Sequence, residues 1–371
     1  MNSFKHWVRM AYLHGGVDRR SLARAFTVTA LSLLSSPFRL AERALFEPRV
    51  QATVIAHAPI FILGHWRTGT TFLHSLLAQD RDIGYVTLFQ TLAPRAFFVG
   101  RWTIQPLVAL RAPETRPMDN VSIDMDGPQE EEFALAHISH QSFYSGWYFP
   151  REMESLFRKY ALFEGLSETE HEEWRRAYLY VLKTATRHSN GKRLVIKNPV
   201  NTCRISAVLE LFPDAKFVHI CRDPYTVFKS SLRLYRAVLD LVSLQQIDDA
   251  RIEQYVLKFY RQMLERYLDE RHLIPEGNLV EVRYENLEAE PVREIERVYA
   301  ELGLPGWESA REDIQSYAES QRSYEKNVFT ISAADIEKVD ENWKFALDAW
   351  GYGRPRKTAD NEPLADMPVD G

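Results

Sequence analysis

The chain has 371 residues, of which 45% are hydrophobic and 26% charged, as in an ordinary globular protein. Its formal net charge of −5 excludes a global field that attracts nucleic acid, so we expect no nucleic-acid partner and only local anion sites. Its two cysteines, Cys203 and Cys221, form no CxxC or Cys/His pattern, which argues against structural zinc and a disulfide framework. A reducing cytoplasm therefore fits best.

Residues 1–50 are predicted to form a helical extension that precedes a domain over residues 51–371. Residues 25–38 are mostly apolar, but this stretch is shorter than the ~20 residues that cross a bilayer. Arginines flank it at positions 19, 20, 24 and 39, which would suit a helix lying on an anionic membrane. We prefer a helix that packs on the domain, and membrane contact through residues 1–50 stays a hypothesis.

Short apolar runs alternate with helical patterns from residue 58 onward. Residues 59–63 are rich in Ile, Leu and Phe, as in a buried parallel strand. Further strands are predicted at residues 194–197, 216–221 and 279–284, and the clearest helix at residues 251–268. This alternation predicts an α/β fold in which helices cover both faces of a parallel sheet.

The first predicted strand leads into GHWRTGTT, residues 64–71, which we call the glycine loop. Gly64 and Gly69 let the backbone turn tightly and bring N–H groups close to an anion. The helix that begins at Thr70 directs its N-terminal dipole to the same place, and Arg67 adds a positive charge. Thr70 stands where a nucleotide triphosphatase has its lysine. A tight strand–helix connection without a ligand is the alternative.

Two further motifs end predicted strands and so should meet the glycine loop in one crevice. Asp223 and Pro224 suit the start of a helix, whereas Arg222 and Ser230 suit a second phosphate. Lys197 ends the strand LVIK, where it could neutralise charge on a transferring group. The alternatives are an ordinary salt bridge, an ordinary helix serine and a solvated lysine.

Four motifs occur in one order: GxxRTGTT, K-x-P, FPDAKFVHICRDP with a later Ser, and VRYENL. This order closely resembles sulfotransferases that use 3′-phosphoadenosine 5′-phosphosulfate (PAPS). GHWRTGTTFLH, RPMDN and GPQEEEFAL resemble the bacterial branch near the tyrosyl-protein and carbohydrate-type enzymes. The resemblance covers residues 58 to about 300, with a weaker tail at residues 350–352. It implies a P-loop-type three-layer α/β/α fold whose central parallel sheet has about five strands.

The resemblance implies PAPS as co-substrate, no metal, and in-line transfer to an acceptor hydroxyl or amine. It assigns to the 5′-phosphate and the sulfonate the residues Arg67, Thr68, Gly69, Thr70 and Thr71. It assigns Arg222 and Ser230 to the 3′-phosphate and Tyr284 to the neighbourhood of adenine. Phe72 stands where the cytosolic animal enzymes stack a tryptophan on adenine, and Lys197 matches the lysine that steadies the sulfonate. Arg67 and Lys197 are the catalytic residues that would stabilise the charge that builds on the bridging oxygen.

The catalytic base departs from the patterns of the family. Pro199 stands where the cytosolic animal enzymes carry a histidine, and Gln90 is the nearest match to the glutamate of the tyrosyl-protein enzymes. A helix predicted from Gly127-Pro128 carries the acidic run of residues 130–132 together with His137 and His140. We predict Glu131 or Glu132 as the base. The alternatives are that these acids only complement the helix dipole, and that His65 serves instead.

Aromatic residues are frequent between positions 89 and 150 and could line an apolar or lipid-like acceptor pocket, or simply form core. The expected partner is thus a small-molecule, lipid or carbohydrate acceptor. Two other functions stay open. One is a P-loop kinase that uses ATP, against which the missing lysine argues. The other is a non-catalytic nucleotide-binding relative, which Gln90 and Pro199 would support.

Overall fold

The structure, a computed structural model, describes residues 3–113, 115, 122–323 and 329–355. RPMDN, residues 116–120 of the resemblance, lies outside the described residues. The described chain contains five strands, which are β1 (Ile60–Leu63), β2 (Ile83–Gly84), β3 (Arg193–Lys197), β4 (Lys216–Cys221) and β5 (Leu279–Arg283). They form one sheet in the order β2-β3-β1-β4-β5, and every pairing is parallel. The predicted parallel α/β sheet is confirmed, and β1 lies at its centre.

Helices precede, connect and follow the strands. Before β1 lie α1 (Phe4–Leu13), α2 (Leu22–Leu34), α3 (Ser36–Leu45) and α4 (Glu47–Gln51). Between β1 and β3 lie α5 (Thr70–Leu77), α6 (Leu88–Leu92), α7 (Phe97–Gly100), α8 (Gln105–Ala109), α9 (Glu131–Ile138), α10 (Ser145–Tyr148), α11 (Met153–Tyr160) and α12 (Glu168–His188). After β3 follow α13 (Ile205–Leu211), α14 (Pro224–Val242), α15 (Asp249–Glu270), α16 (Tyr284–Ala289), α17 (Pro291–Leu302), α18 (Trp307–Ser320) and α19 (Ala333–Trp350).

The alternation of side chains along β1 builds the two outer layers. Ile60 and Ile62 pack with apolar residues of α5, α17 and α18. Phe61 and Leu63 point to the other face, where α9, α12 and α13 supply the partners. All four residues are fully buried, as expected for a parallel strand that is covered on both faces. The three-layer architecture is therefore confirmed.

Two local details differ from the sequence prediction. Strand β2 is not predicted because two residues are too few to show a periodic pattern. The helix expected from Gly127-Pro128 begins only at Glu131. The reason is long-range pairing: the N–H of Gln129 donates to the carbonyl of Val86 at 2.8 Å, and this bond holds the preceding segment extended. The helix also ends at Ile138, before His140.

The N-terminal segment is helical as predicted, with α1 to α4 covering most of residues 4–51. It attaches to the rest of the molecule through α1, whose Trp7 and Met10 are buried with Phe149 and Leu244. Among the residues that the structure describes, no helix combines the length and the apolar character needed to span a membrane. The division of the chain at residue 50 stays a prediction.

Candidate active site

The glycine loop turns from β1 into α5 above the centre of the sheet. Gly64 has a φ of 139° and Gly69 a φ of 93°, values that side-chain-bearing residues rarely adopt. A Cβ on Gly69 would lie 2.2 Å from Cδ2 of Tyr284, so only glycine allows this ring to pack against the loop. Gly69 also immediately precedes α5, whose first-turn N–H groups therefore face the end of the sheet.

A cavity of about 700 Å³ opens beside the glycine loop. Its lining includes eight of the nine predicted donor-site residues, which are Arg67, Gly69, Thr70, Thr71, Phe72, Arg222, Ser230 and Tyr284. The glycine loop and the first turn of α5 carry five of them, and the others lie just after β4, on α14 and at the start of α16, as expected for a crevice at the carboxyl edge of a parallel sheet. The volume suits a nucleotide-sized ligand.

Thr68 is the ninth residue, and its side chain is turned into the loop. Its hydroxyl donates to the carbonyl of His65 at 2.8 Å, and the residue is only 2% exposed. Its N–H points to the same carbonyl at 3.3 Å. Thr68 is therefore placed to fix the shape of the loop rather than to line the cavity.

Two arginines and one hydroxyl meet on the α14 side of the cavity. The Nε of Arg67 donates to Oγ of Ser230 at 2.8 Å. The guanidinium of Arg222 lies 4.0 Å from the ring centroid of Tyr284, and its Nη1 is 3.5 Å from the carbonyl of Arg67. Asp223 caps α14 by accepting from the N–H groups of the two residues after Pro224, as predicted, so it plays a structural part. The three remaining groups form a concentrated donor surface for an anion.

Lys197 lies on the other side of the loop, at the end of β3. Its Nζ is 3.5 Å from Oγ1 of Thr71 and forms an ion pair with Glu130. The Glu130 carboxylate also accepts from the hydroxyl of Tyr144, which in turn accepts from Nε1 of Trp66 at 3.1 Å. The Glu130 side chain is 12% exposed, whereas that of Lys197 is 2% exposed. A cation and a carboxylate thus stand together where the glycine loop approaches α9.

The predicted bases, Glu131 and Glu132, lie deeper, and both are fully buried. Glu131 Oε1 accepts from Tyr178 at 3.0 Å and from Asn201 at 2.8 Å. Burial, with the neighbouring Glu132 carboxylate as a second cause, raises the pKa of Glu131 to about 7. A side chain so enclosed cannot reach an acceptor at the crevice, which favours a structural role.

Glu132 is held by a second buried set of partners. Nη1 and Nη2 of Arg204 donate to its carboxylate at 2.8 and 3.1 Å, and Ser142 donates to it at 2.8 Å. Asn198, next to Lys197, donates to Glu131 at 3.0 Å and to Glu132 at 2.9 Å. The network therefore ties the end of β3 to the start of α9. It fixes the elements that carry Lys197 and Glu130.

Sequence reasoning did not single out Glu130, Tyr144, Trp66 or Asn198. Glu130 belongs to the acidic run, but the helix start was misplaced, so its position as the residue before α9 was missed. Only the start of α9 separates the first glutamate, whose side chain is 12% exposed, from its two fully buried neighbours. The sequence signal that could have identified Glu130 is its place as the N-cap of α9, where its side chain makes no capping bond to that helix.

A model of the sulfotransferase family matches residues 59–309. The chain belongs to the sulfotransferase family. It is 34% identical over 359 residues to the omega-hydroxy-beta-dihydromenaquinone-9 sulfotransferase Stf3 of Mycobacterium bovis, covering 95% of this chain and 90% of that protein, and matches Stf3 of Mycobacterium tuberculosis to the same extent. The predicted family is thus confirmed, and nothing supports the alternative of an ATP-using kinase.

Solved sulfotransferases share the fold. STF1 of Mycobacterium tuberculosis H37Rv superposes with a TM-score of 0.66 at 19% identity, over 92% of this chain and 91% of that one. STF9 of Mycobacterium avium gives a TM-score of 0.65 at 20% identity, over 84% and 81%. These likenesses concern the fold and confirm its P-loop-like architecture.

Two histidines considered as bases of this sulfotransferase are enclosed, and so is Gln90, an amide at the place of the family glutamate. His65 is fully buried, its Nδ1 is 2.8 Å from the carbonyl of Trp66, and burial lowers its pKa to about 3. Gln90 is also fully buried and donates to the carbonyl of Val181 at 2.9 Å. His137 lies 2.8 Å from the carbonyl of Thr91, and burial lowers its pKa. None of the three lines the cavity beside the glycine loop, and neither do Lys197 and Glu130, which meet at Thr71 on the other side of the loop.

Proposed function

We propose that this sulfotransferase moves the sulfonate of PAPS to a hydroxyl group of a lipid-like acceptor, with Glu130 as the base. The observation that carries the proposal is the contact of Lys197 with both Glu130 and Thr71. Through this contact the Lys197 cation lies against the glycine loop, which would hold the sulfonate. The Glu130 carboxylate contacts the same lysine from the side of α9. Glu130 replaces Glu131 or Glu132, the bases that we predict from the sequence, in this proposal.

The donor would occupy the cavity beside the glycine loop. The first-turn N–H groups of α5 and the hydroxyls of Thr70 and Thr71 suit the 5′-phosphate and the sulfonate. Arg222 and Ser230 suit the 3′-phosphate, and Arg67 reaches the same place through its bond to Ser230. The rings of Phe72 and Tyr284, which both line the cavity, suit the adenine.

Transfer would be an in-line displacement at sulfur. The acceptor oxygen bonds to sulfur while its proton passes to the Glu130 carboxylate. The bond from sulfur to the bridging oxygen breaks, and adenosine 3′,5′-bisphosphate leaves. Lys197, Thr71 and the N–H groups of the loop stabilise the negative charge that develops on the sulfonate and on that bridging oxygen. No step calls on a metal ion.

Tyr144 and Trp66 would position the base. The Tyr144 hydroxyl donates to Glu130, and burial together with this carboxylate raises the pKa of Tyr144 well above its usual range, so the hydroxyl keeps its proton. Trp66 belongs to the glycine loop and donates to Tyr144 at 3.1 Å. The loop is thereby connected through hydrogen bonds to the carboxylate that receives the proton.

The acceptor class is inferred from the relative and from the composition of the acceptor side. Stf3 is named for a hydroxylated menaquinone, a quinone with an isoprenoid chain. In this chain α9, which follows Glu130, contacts α6, and Leu88 and Phe89 of α6 belong to an apolar cluster. A lipid-like alcohol is thus the acceptor that we propose.

A reducing compartment, the cytoplasm, suits the two buried free thiols.

The donor class is tested first, by calorimetric titration with adenosine 3′,5′-bisphosphate without magnesium, beside ATP with magnesium. We expect tight binding of the bisphosphate alone. Binding of ATP alone would overturn the donor assignment. Binding of neither would indicate a relative that has lost the nucleotide site.

Lys197→Ala tests the transfer step. We expect it to lower turnover of PAPS with a long-chain alcohol far more than it lowers bisphosphate affinity. Lys192→Ala is the matched control, since Lys192 is exposed and precedes the same strand. Unchanged turnover of Lys197→Ala would remove the role assigned to this lysine.

A further inference from the structure

Exposed apolar side chains are concentrated in one part of the sequence. Of the seventeen large hydrophobic residues that are exposed among those described, twelve lie in residues 4–54 and three in residues 102–110. Only Leu241 and Leu273 lie elsewhere in the described chain. Scattered exposed hydrophobics need no explanation, but such a concentration marks an interaction surface.

Helix α2 shows the pattern most clearly. Its exposed positions are Leu22, Ala23, Phe26, Thr27, Leu31, Leu33 and Leu34. Not one of them is charged, and Phe26 and Leu34 are 74% and 71% exposed. The outward face of a helix on a globular protein normally carries charged and polar residues. The outward face of α2 instead has the composition of a surface that contacts apolar groups of another molecule.

The exposed apolar residues of the α7–α8 region adjoin the same surface. Helix α3 packs on α7: the rings of Phe46 and Phe98 stack with centroids 5.0 Å apart, and Glu42 accepts from the N–H groups of Phe98 and Val99 at 3.2 and 2.9 Å. The exposed residues beyond this junction are Trp102 (83%), Leu107 (59%) and Leu110 (83%). We call α1 to α4 together with residues 102–111 the N-terminal face.

The exposed charged side chains of this face are all positive. Residues 1–50 contain eight Lys or Arg against three Asp or Glu, a net charge of +5 in a chain whose total is −5. Six of these basic residues are exposed, namely Lys5, Arg9, Arg19, Arg20, Arg43 and Arg49. The three acids are not exposed and are engaged inward: Asp18 pairs with Arg151 at 2.7 Å, Glu47 pairs with Arg95 at 3.0 Å, and Glu42 caps backbone N–H groups.

We propose that the N-terminal face docks onto an anionic lipid bilayer. Exposed apolar residues beside an exclusively positive set of exposed charges match the interface of such a bilayer, where apolar groups enter the acyl boundary and basic groups meet the headgroups. The occupant is thus the lipid surface itself. No membrane-spanning helix is required for this mode of binding.

Docking would bring the acceptor side of the site to the membrane. Nε2 of His6 in α1 is 3.1 Å from the carbonyl of Ala136 in α9, the helix that follows Glu130. The segment before Glu130 is bonded to residues 86–89, and Phe89 and Met125 share an apolar cluster with Phe38 of α3. A lipid acceptor could then enter from the bilayer. This entry rests on the function proposed above, whereas docking itself does not.

The test is co-sedimentation of the full chain with vesicles of phosphatidylcholine alone and with phosphatidylglycerol added. We expect binding to the anionic vesicles that weakens with salt. The double variant Phe26→Glu/Leu33→Glu should lose it, by on the order of 100-fold in partition coefficient, and Arg19→Gln/Arg20→Gln should lower it roughly 30-fold. The control, Leu273→Glu, changes an exposed apolar residue outside the N-terminal face and should bind like the wild type.

Bisphosphate affinity is measured for every variant, so that loss of fold is recognised independently of lipid. Equal sedimentation of Phe26→Glu/Leu33→Glu and the wild type would overturn the proposal, and so would a wild type that stays in the supernatant. Light scattering covers one further outcome. A dimer that this variant converts to a monomer, without vesicle binding, would assign the face to a second copy of the chain and overturn docking. Docking without turnover of a lipid alcohol would leave docking standing and reject the acceptor class.

Discussion

The donor side and the acceptor side of the crevice are built in different ways. The donor side takes its groups from stretches that each follow one strand, such as the glycine loop after β1 and Arg222 after β4. The acceptor side joins Glu130 to Tyr144 and Lys197, which come from three separate segments. Local sequence therefore encodes the donor side, whereas the acceptor side exists only once α9 is in place. The donor side should therefore govern nucleotide affinity, and the acceptor side should govern turnover.

The largest effect is expected for Glu130→Gln. Without a carboxylate to take the acceptor proton, kcat should fall about 1000-fold, while bisphosphate affinity stays close to that of the wild type. Single-turnover kinetics with saturating PAPS measures the first quantity and calorimetry the second. Glu131→Gln is the comparison, because it changes the adjacent carboxylate that lies fully buried.

The opposite ranking of these two variants would restore the prediction made from sequence. If Glu131→Gln abolished turnover and Glu130→Gln did not, the base would lie inside the buried network. The acceptor side would then depend on the buried network for its base, and not on the glutamate that contacts Lys197.

Arg222→Ala tests the donor side. The guanidinium lines the cavity beside Tyr284, and its loss should weaken bisphosphate binding by about 2 kcal/mol, or roughly 30-fold. Turnover at saturating PAPS should change little, in contrast with Glu130→Gln. Arg233→Ala changes an exposed arginine on α14, the helix that follows Arg222, and serves as control. A variant that bound normally but turned over slowly would move Arg222 to the acceptor side.

The fold was largely predictable because its signals are local. Residues 216–221 show the strand pattern and form β4 with the same bounds, and Asp223-Pro224 marks the start of α14. The residues that line the cavity beside the glycine loop were predictable as one group because turn glycines and strand-end arginines are visible one motif at a time. Their ligand nevertheless came from resemblance, since no spacing distinguishes a phosphosulfate from another phosphate.

The acceptor side was less predictable because long-range contacts decide it. The bond from Gln129 to Val86 delays the start of α9, and this delay determines which glutamate faces Lys197. The partners that enclose Glu132 include Arg204, which lies 72 positions away. No periodicity within the acidic run could reveal that two of its three members are already engaged by distant side chains.

Tyr144→Phe should produce a moderate effect confined to the acceptor side. It removes the hydroxyl that donates to Glu130 and keeps the ring within its aromatic cluster. Because a hydrogen bond to a charged group is lost, kcat should fall about tenfold, with no change in the KM for PAPS. Tyr148→Phe is the control, since that partly buried tyrosine lies near His137 instead. A rise in the KM for PAPS without loss of kcat would show that the tyrosine acts on the donor side.

The last effect concerns stability rather than activity, and it separates Glu131 from Glu130. Burial raises the pKa of Glu131 to about 7 in the folded chain, against an ordinary value of 4.5. Between these two values the folded state keeps a proton that the unfolded state has released, so the free energy of unfolding falls as pH rises towards 7 and then levels off. Glu131→Gln cannot ionise and should lack this contribution, which is at most about 3 kcal/mol.

The measurement is urea unfolding of the wild type and of Glu131→Gln at several pH values between 5 and 8. The substitution suits the site. All three donors reach Oε1 of Glu131, so the amide oxygen of glutamine can accept from them. The buried Oε2 has no hydrogen-bond partner among the described residues, so an amide nitrogen in its place would displace none. Glu164→Gln, whose carboxylate is 47% exposed, should follow the wild type at every pH. Parallel curves for the wild type and Glu131→Gln would mean that Glu131 is ionised throughout. The buried network behind the acceptor side would then carry one more negative charge than its contacts balance.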